Sequence, residues 1–400
     1  MPTSDAPRSQ EPVEVDPRTL PPPTGLPIAR PSGWWTVEPG PQPYSQPYPQ
    51  PGQGYGPTAR PPYAGPVPPV PAWVRPPKPP TLPVSAVEYH QLLQTPRQRW
   101  WKPLLTMVLF AALAFVAINL GSVLLALFGV ARGVPNLQEF LASTLVVGRG
   151  GIGPTSFFFL NFSLLVLVPM AMLARWIVYR QRPGFLTSVA GRFRWRWMAR
   201  CLAVTLPIWA VYVGLSTVAA PYPEPKPAYW GVLIAICLVT TPLQCAGEEY
   251  TFRGLVLQTV GSWFRRPLVG LVVGAIPAVG LFAAAHGSPD PYVLAQLCIF
   301  ALSCVIVTWR TGGLEAAIAI HLSNNVLLML VSIVYGGWSQ AFINGETTGN
   351  LAGVLIELVV NGAAVTLILW QAKRVGLTRR FAPEARAGTG PASVSVPQYR

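Results

Sequence analysis

Within the long apolar stretches of this 400-residue chain, three short clusters hold the groups that could do chemistry. The first reads Cys245-Ala-Gly-Glu248-Glu249-Tyr250-Thr-Phe-Arg253-Gly254, the second Phe282-Ala-Ala-Ala-His286, and the third His321-Leu-Ser-Asn-Asn325. His90 is the only histidine outside them. On a helix, Glu249 and Arg253 share a face, in the order in which a carboxylate pairs best with a cation four residues on. That pairing, which on its own could be purely structural, neutralises one acid. Glu248 is turned by about 100° on the same turn and is left to face a cavity without a cation, the placement of a general base that takes a proton from water. His321 and Asn325, also four apart, project together. A neutral imidazole can bind a metal or act as an acid, and an amide can donate to an oxyanion.

The elements that must hold these groups are membrane helices. Hydrophobic residues make up 51% of the chain and charged residues only 11%, where soluble proteins carry roughly a quarter charged. The apolar runs are long enough for a helix to cross a bilayer. Eight are expected, at about 104–131, 157–179, 199–220, 230–262, 267–286, 291–309, 313–335 and 351–372. The fold class is therefore all-α, a polytopic bundle of about eight transmembrane helices over residues 97–375. Counting lysines and arginines in alternate connections places 19 on one side and 3 on the other, with Arg253 left inside a helix. By the positive-inside rule both termini are expected in the cytoplasm. The net charge of +14 follows these connections, which points away from nucleic acid.

Of 46 prolines, 28 fall within residues 1–100. Residues 1–96 are accordingly expected to be a disordered Pro/Tyr/Gln/Gly-rich tail, a spacer or a docking segment for a partner. A short helical patch over 86–94 would put His90 on the surface and lead into an interfacial anchor at Trp100, Trp101 and Lys102. Residues 376–400 read as a flexible basic tail. Five cysteines without a Cys-x-x-Cys pair argue against a thiolate metal site or a disulfide framework. Depth is one open point: Glu248 and His286 lie about 17 and 20 residues from the Phe264–Pro267 turn, whereas His321 is only about ten from Arg310–Gly313. The three align only if the first hairpin projects further.

The three clusters, in this order, resemble the motifs Glu-Glu-x-x-x-Arg, Phe-x-x-x-His and His-x-x-x-Asn/Asp of the type II CAAX prenyl protease and bacteriocin-processing family of intramembrane proteases. The resemblance covers about residues 205–335. It implies a helical intramembrane endopeptidase whose site opens to the cytosol. Glu248 would activate water, Glu249 and Arg253 would orient it, and His286, His321 and Asn325 would bind metal or stabilise the oxyanion. Zinc held by Glu248, His286 and His321 is one reading, and a metal-free glutamate with a histidine/asparagine oxyanion site is the other. The expected partners are a membrane-anchored protein or peptide substrate, the lipid bilayer and a ligand of the proline-rich tail, and composition suggests a bacterial inner membrane. A proton-coupled transporter on the same cluster would need inverted repeats and broken helices, for which Pro242 and Pro277 are the only candidates; a catalytically silent scaffold is a second rival. The motifs leave Glu357 with Asn361 unexplained, and Glu315 reads as a dipole partner of its own helix.

Overall fold

A computed structural model describes residues 78–145, 152–219 and 225–383; of the expected tails at 1–96 and 376–400, the parts up to residue 77 and from residue 384 lie outside them. Eight helical segments among the described residues are long and apolar enough to cross a membrane, in good agreement with the eight stretches read from sequence. The first is α1 (Lys102–Ala131), followed by the short α2 (Leu137–Leu145). The second span is α3 (Pro154–Leu165) running into α4 (Leu167–Tyr179), and the short α5 (Gly184–Thr187) leads to α6 (Trp195–Ala219). The fourth is α7 (Trp230–Glu249), which passes through a π-helical segment (Tyr250–Val256) into α8 (Leu257–Gly261). The others are α9 (Pro267–Ala285), α10 (Pro291–Thr311), α11 (Glu315–Tyr335) and α12 (Leu351–Arg374). Helices satisfy their backbone groups internally, which lipid cannot do for them.

Start and stop signals are local. Proline opens α1, α3, α9 and α10, where a missing N–H costs nothing. The Asp290 carboxylate caps α10 by accepting from the N–H groups of Tyr292 and Val293 at 2.9 and 3.0 Å. Gly312 ends α10 at φ +69°, and a Cβ there would lie 2.6 Å from the Arg379 carbonyl oxygen. Pro242 and Pro277 sit inside helices that continue past them, so neither marks a broken span.

Helix α11 is the axis of the bundle. Its residues from Glu315 to His321 are all buried, and α6, α7 and α10 pack around it. Glu315 bonds Arg194 at 2.6 Å, which ties the start of α11 to the start of α6, a partnership beyond the dipole role read from sequence. Helices α3 and α7 approach so closely that a Cβ on Gly247 would fall 1.9 Å from the Leu164 carbonyl oxygen. One end of the bundle is closed by Leu314 N–H to Thr187 O (2.9 Å) and the Arg194–Glu315 pair. At the opposite end Ser288 bonds Thr347 O (3.1 Å) and Gly349 N–H bonds Asp290 (3.2 Å), which ties the α9–α10 and α11–α12 connections together.

Two expectations need correction. Residues 87–95, placed within the expected tail, are packed, and His90, expected on the surface, is fully buried. The physical reason is the α8–α9 turn, whose carbonyl groups need donors. His90 Nε2 lies 2.9 Å from Pro267 O, Gln91 donates to Phe264 O and Arg265 O, and Gln94 donates to Ser262 O and Phe264 O. Glycine makes room: a Cβ on Gly261 would sit 3.1 Å from the His90 ring. The C-terminal segment also joins in, since Val87–Glu88 (β1) pairs antiparallel with Arg380–Phe381 (β2) and Arg380 bonds Glu88 at 2.8 Å. This strap covers a hairpin that projects past the α10–α11 turn. Glu249 is 12 residues from the end of α8 and the His321 it touches is 6 from the start of α11, a difference of about 9 Å.

Two predictions follow from this packing. Burial holds His90 below the ordinary imidazole range, against the pull of its bond to Pro267 and of Glu88. Burial alone would raise the Glu88 carboxyl, but bonds from Arg380 and Trp309 bring it below the usual range. Both groups bind protons more weakly when docked, so docking is complete at neutral pH and weakens as pH falls, first below 6.5 and then below 4.5. Hydrogen exchange over 86–94 is expected to be faster at pH 5.5 than at 7.5, and His90→Gln to remove most of that difference; equal exchange at both pH values refutes it. Gly247→Ala is expected to lower stability by about 1–3 kcal/mol or more, seen as a lower melting temperature in detergent, whereas Gly231→Ala, with nothing within 4 Å of its Cβ, should match wild type.

Candidate active site

The end of α7 and the middle of α11 meet at the candidate site. Glu249 is fully buried, with Arg253 Nη1 3.2 Å and His321 Nδ1 2.8 Å from its Oε1. The Glu249–Arg253 pair expected from spacing is thus present across the π-helical segment. A carboxylate facing Nδ1 fixes the imidazole as an Nδ1–H donor and leaves Nε2 for the other side. There, Nε2 lies 3.5 Å from Oε2 of Glu248. Histidine 321 is therefore bracketed by both glutamates.

Glu248 itself is held by one oxygen. Gln244, one turn back on α7, donates to its Oε1 at 2.7 Å, while Oε2 is buried without a hydrogen-bond partner. Gln244 in turn accepts from Asn325 at 3.4 Å. Asn325 accepts from Asn324 at 3.0 Å, and Asn324 accepts from the Trp209 indole at 2.9 Å. Every donor in this row points towards the carboxylate, so α6, α11 and α7 are coupled through it. Gln244 could have been read from its spacing, four residues before Glu248. Trp209 and Asn324 carry no such local signal, because only the packing of α6 on α11 brings them in.

Phe282 joins the three motifs. Its ring lies 4.3 Å from the Arg253 guanidinium carbon, 4.8 Å from the His286 ring and 5.9 Å from the His321 ring. An aromatic face under a buried guanidinium supplies attraction where water is absent. His286 follows on the last turn of α9, with Nδ1 2.8 Å from Phe282 O; its Nδ1–H donates there and Nε2 is turned to the cavity. That cavity, of about 240 Å³, is lined by His286, His321, Asn325 and Phe300, and also by Glu357. Glu357 accepts from Asn361 at 2.7 Å, so the acid unexplained by the motifs faces the same space. Tyr250 bonds Thr187 at 2.7 Å, and Gly254 makes room for Leu186 and Leu314.

The zinc reading fits less well. Among the described residues no three histidine, cysteine or acidic side chains converge to hold a metal. His321 Nε2 and Glu248 Oε2 form a pair, but His286, the third donor expected, lines the cavity without completing a triad.

Residues 229–327 match the family described as type II CAAX prenyl endopeptidase, Rce1-like. Over that segment the chain is similar to this family. The match spans α7 to the middle of α11, so it contains every residue of the three motifs. An uncharacterized protein of Bacillus subtilis (strain 168), YyaK, is 29% identical over 154 residues, which is 36% of this chain and 49% of that protein. The chain thus spans about half the length of that curated relative. No solved structure matches. The first three spans and the strap lie outside the Rce1-like segment, yet they supply Leu164 against Gly247 and the cover of its hairpin.

Removing one member of the Glu249–Arg253–His321 group leaves a buried charge without its partner, at a cost of about 3–5 kcal/mol. Arg253→Met is expected to reduce stability by that order. The pair Glu249→Gln with Arg253→Met should cost less than the two single changes summed. Thermal unfolding of the four purified proteins measures both, and strict additivity would show that the two side chains are not coupled.

Proposed function

We propose that this multi-pass membrane protein is an intramembrane endopeptidase, hydrolysing a peptide bond of a membrane-associated substrate with water activated by Glu248. The observation that carries the reading is the Glu248–His321–Glu249–Arg253 cluster beside a cavity, inside the Rce1-like segment. In this scheme the free Oε2 of Glu248 takes a proton from water as the oxygen attacks the scissile carbonyl. The same carboxyl then returns the proton to the departing amine. Glu249, paired with Arg253, holds His321 oriented. Asn325, with one amide N–H spent on Gln244, has a second for the developing oxyanion, and His286 offers Nε2 to the same space. No step is routed through zinc, since the described donors do not assemble a three-ligand site.

Supporting this over a proton-coupled transporter are the unbroken helices at Pro242 and Pro277. The intact cluster also speaks against a silent scaffold. We place the protein in a bacterial inner membrane with both termini cytoplasmic, on the strength of its basic connections.

Cleavage of membrane-anchored reporter peptides by the purified protein tests the scheme. Glu248→Gln should lower turnover by about 10²- to 10⁴-fold. Gln244→Ala should slow it less, because it removes the donor that holds the Glu248 carboxylate in place. Activity should survive a chelator. Equal cleavage by wild type and Glu248→Gln would assign the activity elsewhere.

A further inference from the structure

The cavity beside the site has a direction. Its deep wall is His321 and Asn325 in the middle of α11, and its rim is Ile343, Thr347 and Thr348 from the connection between α11 and α12. Helices α6, α10 and α12 contribute Tyr212, Val293 and Glu357, each within seven residues of the helix end on that side. His286 lies at the end of α9 facing the same way. Nothing from the strap or from the α8–α9 and α10–α11 turns lines it.

Charge assigns the two ends to opposite sides of a membrane. The end away from the cavity mouth carries Arg265, Arg266, Arg310, Lys373, Arg374 and the basic run 192–200. The mouth end holds Arg132 and Lys226 among its described residues, together with the acids Glu139, Asp290 and Glu346. Under the positive-inside rule the mouth end faces out.

We infer that the catalytic cavity opens on the extracytoplasmic side, and that its substrate is a membrane-anchored polypeptide presented on that face. This rests on the peptidase reading and departs from the cytosolic opening that the resemblance implies. Reach adds a requirement. His321 is 14 residues from the end of α11 at that side, about 21 Å at helical rise. An extended chain gains at most about 3.3–3.6 Å per residue, so roughly six unfolded residues must enter before a bond meets Glu248.

Two measurements on the full chain in cell membranes decide the matter. In a Cys298→Ser background, Glu346→Cys and Arg265→Cys, both at exposed positions, are treated in intact cells with a membrane-impermeant maleimide. Labelling of Glu346→Cys alone, with Arg265→Cys reacting only after permeabilisation, is expected; the reverse pattern overturns the orientation. Single-span reporters then carry one flexible ten-residue segment on either the outer or the inner side. Cleavage of the outer reporter alone, lost in Glu248→Gln, supports the substrate class, and cleavage of the inner one alone overturns it. Expected labelling with neither reporter cut removes the peptidase reading and leaves the orientation standing.

Discussion

A carboxylate with no exposure cannot stand unpaired in an apolar bundle, and Glu249 is that carboxylate. Its charge is shared between Arg253 on its own helix and His321 on α11. Arg253 in turn lies on Phe282 of α9. One buried acid thereby sets the relative height and rotation of three helices. In lipid, where apolar side chains gain little from meeting each other rather than acyl chains, such polar contacts and close small-residue packing decide which faces join. The α3–α7 contact at Gly247 is the second kind, two residues before the first.

The same arrangement separates two acids that are neighbours in sequence. Glu249 is spent on structure, with both its partners charged or polar and its surroundings closed. Glu248 keeps one oxygen tied to Gln244 and the other unpartnered beside the imidazole. The difference arises from the angular offset of adjacent residues on a helix, which points one towards Arg253 and the other towards the amides of α11. A row of amides oriented from Trp209 inward ends on this carboxylate, so the bundle fixes the position of the acid without placing a cation on it.

Much of this was legible in residue type and spacing. Eight apolar runs translate directly into eight spans, because length and hydropathy are properties of single segments. The ion pair of Glu249 with Arg253 and the shared face of His321 and Asn325 rest on four-residue spacing, which one helix suffices to express. What could not be read depended on two helices meeting: the Trp209–Asn324 link, the cavity wall at Glu357, and the contact of His321 with both glutamates. The burial of His90 was misread because composition ranks the segment with the proline-rich tail, whereas its side chains answer the unpaired carbonyls of a turn about 170 residues away. Whether the donors converge on one point was equally beyond spacing, and among the described residues no three of them do.

The π-helical segment between α7 and α8 bears on how this helix can change. Bonds that close one residue later than in an α-helix alter the rotation between what comes before and what comes after. The acids and the strap-binding turn are thus on one rod with two phases. Substitutions that refit α8 to its cover need not reorient Glu248, because the wider turn between them takes up the change in rotation.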